Sequence, residues 1–274
     1  MGKVAWASTA ALVLAFATLA DGVACSSFSD EPTPDDAGAA EGGVADTGAP
    51  RDGASIDAPP GTFCASLSPA PAHCDDFDGS EGFARWTTRS EVRGILSITD
   101  GGASSTPHAL RSFVAAAATA PTKAALSKRL TGNIAEFVFE ADISVTNLVT
   151  SAGGSHVQVV GLQALDKNGK LTAAVSLIQS PSGLKLYVDQ KLPTPDTSTA
   201  DLIALPNTKP WTRVRIASAG GRFSVSYDGE LQPQVPDITV QSTLVDLEIG
   251  LESSATQNEP QDVAFDNVVA RFGP

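Results

Sequence analysis

The 274-residue chain is 42% hydrophobic and 18% charged, with 31 acidic residues against 18 basic ones and a formal charge of −13. Ordinary hydrophobic content excludes a disordered chain and a membrane bundle. With no Lys or Arg cluster along any segment, a nucleic-acid backbone has nowhere to land and a strongly anionic partner is disfavoured. At the amino terminus, Lys3 precedes a predominantly apolar run over residues 4–20, then Gly22-Val23-Ala24 and Cys25. A basic start, an apolar stretch and small residues read as an export signal over 1–24. The apolar run is too short for a typical membrane span. Residues 25–60 carry eight acids against Arg51, a charge of −7, with almost no large apolar side chains. Such a segment cannot bury enough surface to order itself, and it is expected to be an acidic tether.

From Phe63 the pattern changes to short alternating runs. Phe137, Phe139, Ala141, Ile143 and Val145 alternate with Glu140, Asp142 and Ser144; Leu184, Leu186 and Val188 alternate with Lys185, Tyr187 and Asp189. Phe223, Val225 and Tyr227 alternate with serines, and Leu247, Ile249 and Leu251 with Asp246, Glu248 and Gly250. This period of two is that of half-buried strands. Asn168-Gly169 between the runs 157–165 and 171–178 predicts a hairpin. Strands at short spacing, without intervening helices, predict an all-β, two-sheet antiparallel sandwich over 61–274.

Ala24-Cys25 and the residues before it resemble the lipobox of bacterial lipoproteins, with Gly22 where that motif carries an aliphatic residue. The resemblance implies lipidation of Cys25, export, and a membrane contact through the anchor alone, at the outer membrane or cell surface. In an oxidising compartment, Cys64 and Cys74 then read as a disulfide.

Three stretches resemble the concanavalin A-like lectin/glucanase superfamily, in particular its laminin-G-like jelly rolls. They are Asp75-Asp76-Phe77-Asp78-Gly79 with Trp86; the run from Trp211-Thr212-Arg213 through Gly220-Gly221 to Asp228-Gly229; and Phe265-Asp266-Asn267 near the end. The resemblance implies that the first and last strands pair. It further implies that Asp76, Asp78 and Asp266 hold a structural Ca²⁺, an ion that takes several oxygen ligands.

Catalytic chemistry finds little support in the sequence. Glucanases of that superfamily carry Glu-x-Asp-x(-x)-Glu on one strand, because retaining hydrolysis needs two facing carboxyl groups. Here Glu140-Ala141-Asp142 begins the pattern, but Ser144 and Val145 occupy the place of the last Glu. A polysaccharide lyase would need a set such as Tyr187, His156 and Arg213, and nothing in the sequence brings these together. The expectation is therefore a non-catalytic module recognising a glycan or matrix component. Tyr187 would stack on sugar while Lys185, Gln158, Gln163 and Arg213 bind hydroxyls, with Gln179 on the same face. The alternatives are a divergent polysaccharide lyase or glycoside hydrolase, or an adhesion protein of the envelope.

Overall fold

The computed structural model describes residues 62–100, 103–105, 107–116, 118, 120–150, 156–192, 194–205 and 210–273. The export signal, Cys25 and the acidic tether lie outside the described residues. Two antiparallel sheets account for almost all of the regular structure. The helical exceptions are α1 (Thr62–Ser66) and a 3-10 turn at Ile134–Glu136.

The eight-stranded sheet runs β13 (Glu230–Leu231), β12 (Arg222–Tyr227), β11 (Thr212–Ala219), β6 (Phe137–Asn147), β15 (Gln261–Phe272), β4 (His108–Val114) and β3 (Gly94–Asp100), with β1 (His73–Asp75) also on β15. The seven-stranded sheet runs β10 (Asp196–Asp201), β9 (Gly183–Gln190), β8 (Leu171–Ser180), β7 (Val157–Leu165), β14 (Leu244–Ser253), β5 (Thr122–Thr131) and β2 (Thr88–Val92). This is the jelly-roll sandwich expected from the alternation. Its core lies between the sheets: Phe137, Phe139 and Phe265 come from one, and Leu126, Leu162, Leu177 and Leu186 from the other, all buried.

β6 obeys its sequence pattern, with Phe137, Phe139, Ala141 and Ile143 inward and Glu140 and Asp142 toward the outer face. β1 pairs with β15 as expected, Asp75 standing opposite Val268, and Cys64 and Cys74 form a disulfide. The Asn168-Gly169 hairpin forms, but only Gly169 takes positive φ. Its loop is organised by Asp166 Oδ1, which accepts the amides of Asn168 and Lys170 at 2.8 and 2.9 Å. A carboxylate folded back on its own loop takes over what a tight two-residue turn would supply.

Candidate functional site

The outer face of the seven-stranded sheet carries three polar rows. The central row is Thr199, Tyr187, Ser176, Gly161, Glu248 and Ser127, residues directly opposite one another from β10 to β5. On one side lie Asp201, Lys185, Ile178, Gln158, Glu252 and Lys123. On the other lie Thr197, Asp189, Ala174, Gln163, Asp246 and Arg129. A cleft of about 550 Å³ opens over this face, lined by His156, Gln158, Ser176, Ile178, Lys185, Tyr187, Thr199, Glu252 and Ser254.

A bulge in β7 makes this arrangement. Its register on β8 slips between Gln158 and Val160, and both Val159 and Val160 are buried. The parity of outward positions therefore flips, so Gln158 and Gln163 share one face although they are an odd number apart. Without the bulge one of the two would point into the core.

The floor is a hydrogen-bonded lattice. Gln158 Oε1 accepts from Ser176 Oγ at 2.8 Å, and Gln158 Nε2 donates to Glu248 Oε1 at 3.0 Å. Glu248 Oε2 accepts from Ser127 Oγ at 3.1 Å and from Lys123 Nζ at 2.6 Å. Lys123 Nζ also donates to Glu252 at 2.8 Å. Gly250, between the two glutamates, sits at φ 122° with its backbone against Ala124; a Cβ there would lie 2.2 Å from the Ala124 carbonyl oxygen. Having no side chain, it lets the backbones of β14 and β5 approach closely at this point.

Burial raises the pKa of Glu248, and the adjoining Glu252 carboxyl raises it further, against the pull of Lys123. Burial would raise Glu252 as well, but its hydrogen bond to Glu248 and the Lys123 ammonium hold it below the usual value. Burial works against the charge of Lys123, yet its two carboxylate partners keep its pKa above that of a free lysine. Two carboxyl groups that sit this close divide the roles, one tending to keep its proton and the other to lose it. Lys185 is ion-paired to Asp201.

Of the residues expected to bind ligand, Tyr187, Lys185 and Gln158 converge in the cleft, and His156 joins them. Gln163 is on the same face but one row beyond it. Gln179 lies elsewhere: alternation along β8 sends Ser176 and Ile178 outward and Gln179 to the other side, where it lines a separate cleft with Leu184 and Leu205. Arg213 is a correction too. It belongs to β11, in the opposite sheet, so it cannot meet Tyr187. Its guanidinium donates to the Asn267 carbonyl at 2.9 Å, contacts Asp142 at 3.3 Å and Glu140 at 3.4 Å, and covers the Phe63 ring. Glu140 and Asp142 are thus paired with arginines on the outer face of the eight-stranded sheet, Arg215 also contacting Glu140.

Asp76, Asp78 and Asp266 are buried near the β1–β15 junction. Asp76 accepts the Cys64 amide, Asp78 the His108 amide, and Asp266 the amides of Ser105 and Asn267. Among the described residues no group of three or more His, Cys, Asp or Glu is placed to hold a metal ion. Each of the three carboxylates thus holds a backbone amide, while Asp76 Oδ1 is buried with no hydrogen-bond partner.

Glu248, Glu252, Lys123 and Ser176 are site residues that sequence reasoning missed. The signal was present for the glutamates, since alternation in β14 already placed Glu248 outward. What joins them to Gln158 and Lys123 is cross-strand register, which a single strand's pattern does not carry.

No known family profile matches the chain, and no curated protein matches it. Solved structures do. An endo-β-1,4-glucuronan lyase from the fungus Trichoderma reesei superposes with a TM-score of 0.52 over 74% of this chain and 95% of that one, at 12% identity. An alginate lyase of polysaccharide lyase family 7 gives 0.40 over 66% and 95%, at 14% identity. A marine family-7 alginate lyase from Zobellia galactanivorans gives 0.40 over 60% and 78%, at 10% identity. At such identities the likeness to the glucuronan lyase shows the fold: the chain has the jelly-roll sandwich also found in a polysaccharide lyase.

Proposed function

We propose that the chain binds a polysaccharide across the outer face of its seven-stranded sheet and cleaves it by β-elimination at a uronate in the Tyr187 cleft. The observation that carries this reading is the convergence of Tyr187, His156, Gln158 and Lys185 on one cleft. Elimination needs a base for the proton beside the uronate carboxyl, an acid for the departing glycosidic oxygen, and donors that take up charge on the carboxyl group. Tyr187 and His156 are the proton-transfer groups, and the second N–H of Gln158 and the Lys185 ammonium are the donors. The C–H bond breaks, its electrons form a carbon–carbon double bond, the C–O bond to the next sugar breaks, and the leaving oxygen takes a proton. The likeness to the fold of a glucuronan lyase supports this assignment.

A second reading, a non-catalytic glycan-binding module, has its own observation: Lys185 in the cleft and Lys123 beside it on the same face are each held in ion pairs with carboxylates. The two readings part on product. The eliminating protein leaves unsaturated uronates at new chain ends, whereas the module binds and leaves the chain intact. Lipidation of Cys25, with the acidic segment as its leash, completes the proposal by placing the cleft at the cell surface.

A further inference from the structure

The ion pairs of the seven-stranded sheet are asymmetric where the cleft lies. Lys185 has 20% of its side chain exposed and its partner Asp201 has 64%. Lys123 has 22% exposed, while Glu252, which reaches the cleft, has 44%. In these two pairs the lysine is the covered member and the carboxylate faces outward; the second partner of Lys123, Glu248, is more covered than the lysine, at 9%. Farther along the sheet the order reverses: Arg129 is 56% exposed against 24% for Asp246.

A polyuronate would lay a carboxylate on every sugar across this surface. Lys185 can answer the one uronate at the reacting position, but carboxylates on the sugars either side would face Asp201 and Glu252, and Lys123 is already shared between two glutamates. Like charges set against each other in this way reject a partner more effectively than matched ones attract it. The rest of the chain adds to the effect, with −6 remaining after the acidic tether is set aside. Uncharged sugars meet no such penalty. Their hydroxyls donate to the exposed carboxylates and accept from Thr199 and Ser254, and their ring faces lie on Tyr187.

We infer that the cleft is selective for a polysaccharide of low charge density, in which neutral sugars flank each uronate, and excludes a polyuronate. This specificity rests on the glycan reading given above. It assigns Asp201 and Glu252 as specificity-determining residues that repel the wrong substrate.

The experiment compares three glycans on the full-length protein: hyaluronan, with a uronate at every second sugar; alginate, with one at every sugar; and xyloglucan, with none. Binding and unsaturated product are read at low and high sodium chloride. The expected result is at least about a tenfold preference for hyaluronan over alginate, with hyaluronan affinity moving less than about twofold with salt, because net attraction between opposite charges contributes little. Asp201→Asn and Glu252→Gln, tested separately, should each improve alginate binding by about threefold or more at low salt and give no such gain with xyloglucan. Two surface positions are used so that a folding defect in one cannot mimic the result. Alginate bound as well as hyaluronan, or variants that leave the ranking unmoved, would overturn the specificity while leaving the glycan reading standing. No binding or product with any of the three would overturn both.

Discussion

Gly161 lies directly beneath the carboxamide of Gln158. A Cβ at position 161 would come within 2.6 Å of Gln158 Nε2 and 3.2 Å of Oε1. The glycine is thus required by close approach, at ordinary backbone angles, and it lets the amide lie flat between Ser176 and Glu248.

Gly161→Ala should lift that amide away from both partners and leave the fold intact, since the displaced group is the end of a flexible side chain. Losing two part-buried hydrogen bonds should cost about 1–2 kcal/mol of stability. Glycan binding should fall together with it, to the level of Gln158→Ala. Urea denaturation and a binding isotherm on both variants check this. A Gly161→Ala protein that binds like wild type would separate Gln158 from the site.

Two buried groups should tilt the pH dependence of stability in opposite directions. Burial, helped by the charges of Lys128 and Arg85, lowers the pKa of His73 from 6.5 to about 4. The unfolded chain takes up a proton there that the folded chain refuses, so stability falls as pH drops from 6.5 toward 4, by on the order of 3 kcal/mol. Burial also raises Asp266 from 3.8 to about 6, with the Asp78 charge adding to it. Its contribution is complete below 3.8 and is lost as pH rises through 6. Between pH 4 and 6 the two should nearly cancel in the wild type. Replacing His73 with Gln should leave a stability that declines across that window as pH rises, and Asp266→Asn one that climbs. Urea midpoints at several pH values test both signs.

The Cys64–Cys74 bridge closes a loop with a sequence separation of 10. A loop of that length should contribute about 2–3 kcal/mol in the chain-entropy account. Reduction, or the double change to serine, should lower the melting temperature by roughly 5–10 °C in a domain of this size. An unchanged melting curve under reductant would show that the surrounding contacts hold the α1 segment without the bond.

How much of this could be read beforehand depends on which interactions carry it. The inward phenylalanines of β6 and the Leu184–Leu186–Val188 stripe of β9 follow from a period of two, which each strand displays by itself. The β7 bulge does not, because Val157-Gln158-Val159 alternates regularly until Val160 and only pairing with β8 shows the slip. Nor does alternation say which sheet receives a strand. That is why Arg213 looked eligible beside Tyr187 and is found in the other sheet, while Lys123, 125 residues before Glu248, escaped notice although it touches it.

The proposed lipidation predicts that Cys25→Ser releases the protein from the membrane fraction, with its glycan binding unchanged. Continued membrane association would place the anchor elsewhere.

The most direct measurement of the central claim is product analysis with the full-length protein and its Tyr187→Phe variant on hyaluronan, following the ultraviolet absorbance of the conjugated double bond and the size of the fragments. The account predicts unsaturated fragments from the wild type and a loss of at least about a hundredfold in rate for the variant, the usual scale for removing a proton-transfer group, with binding retained within severalfold. Equal rates for the two proteins, or wild-type binding that never yields an unsaturated end, would contradict it.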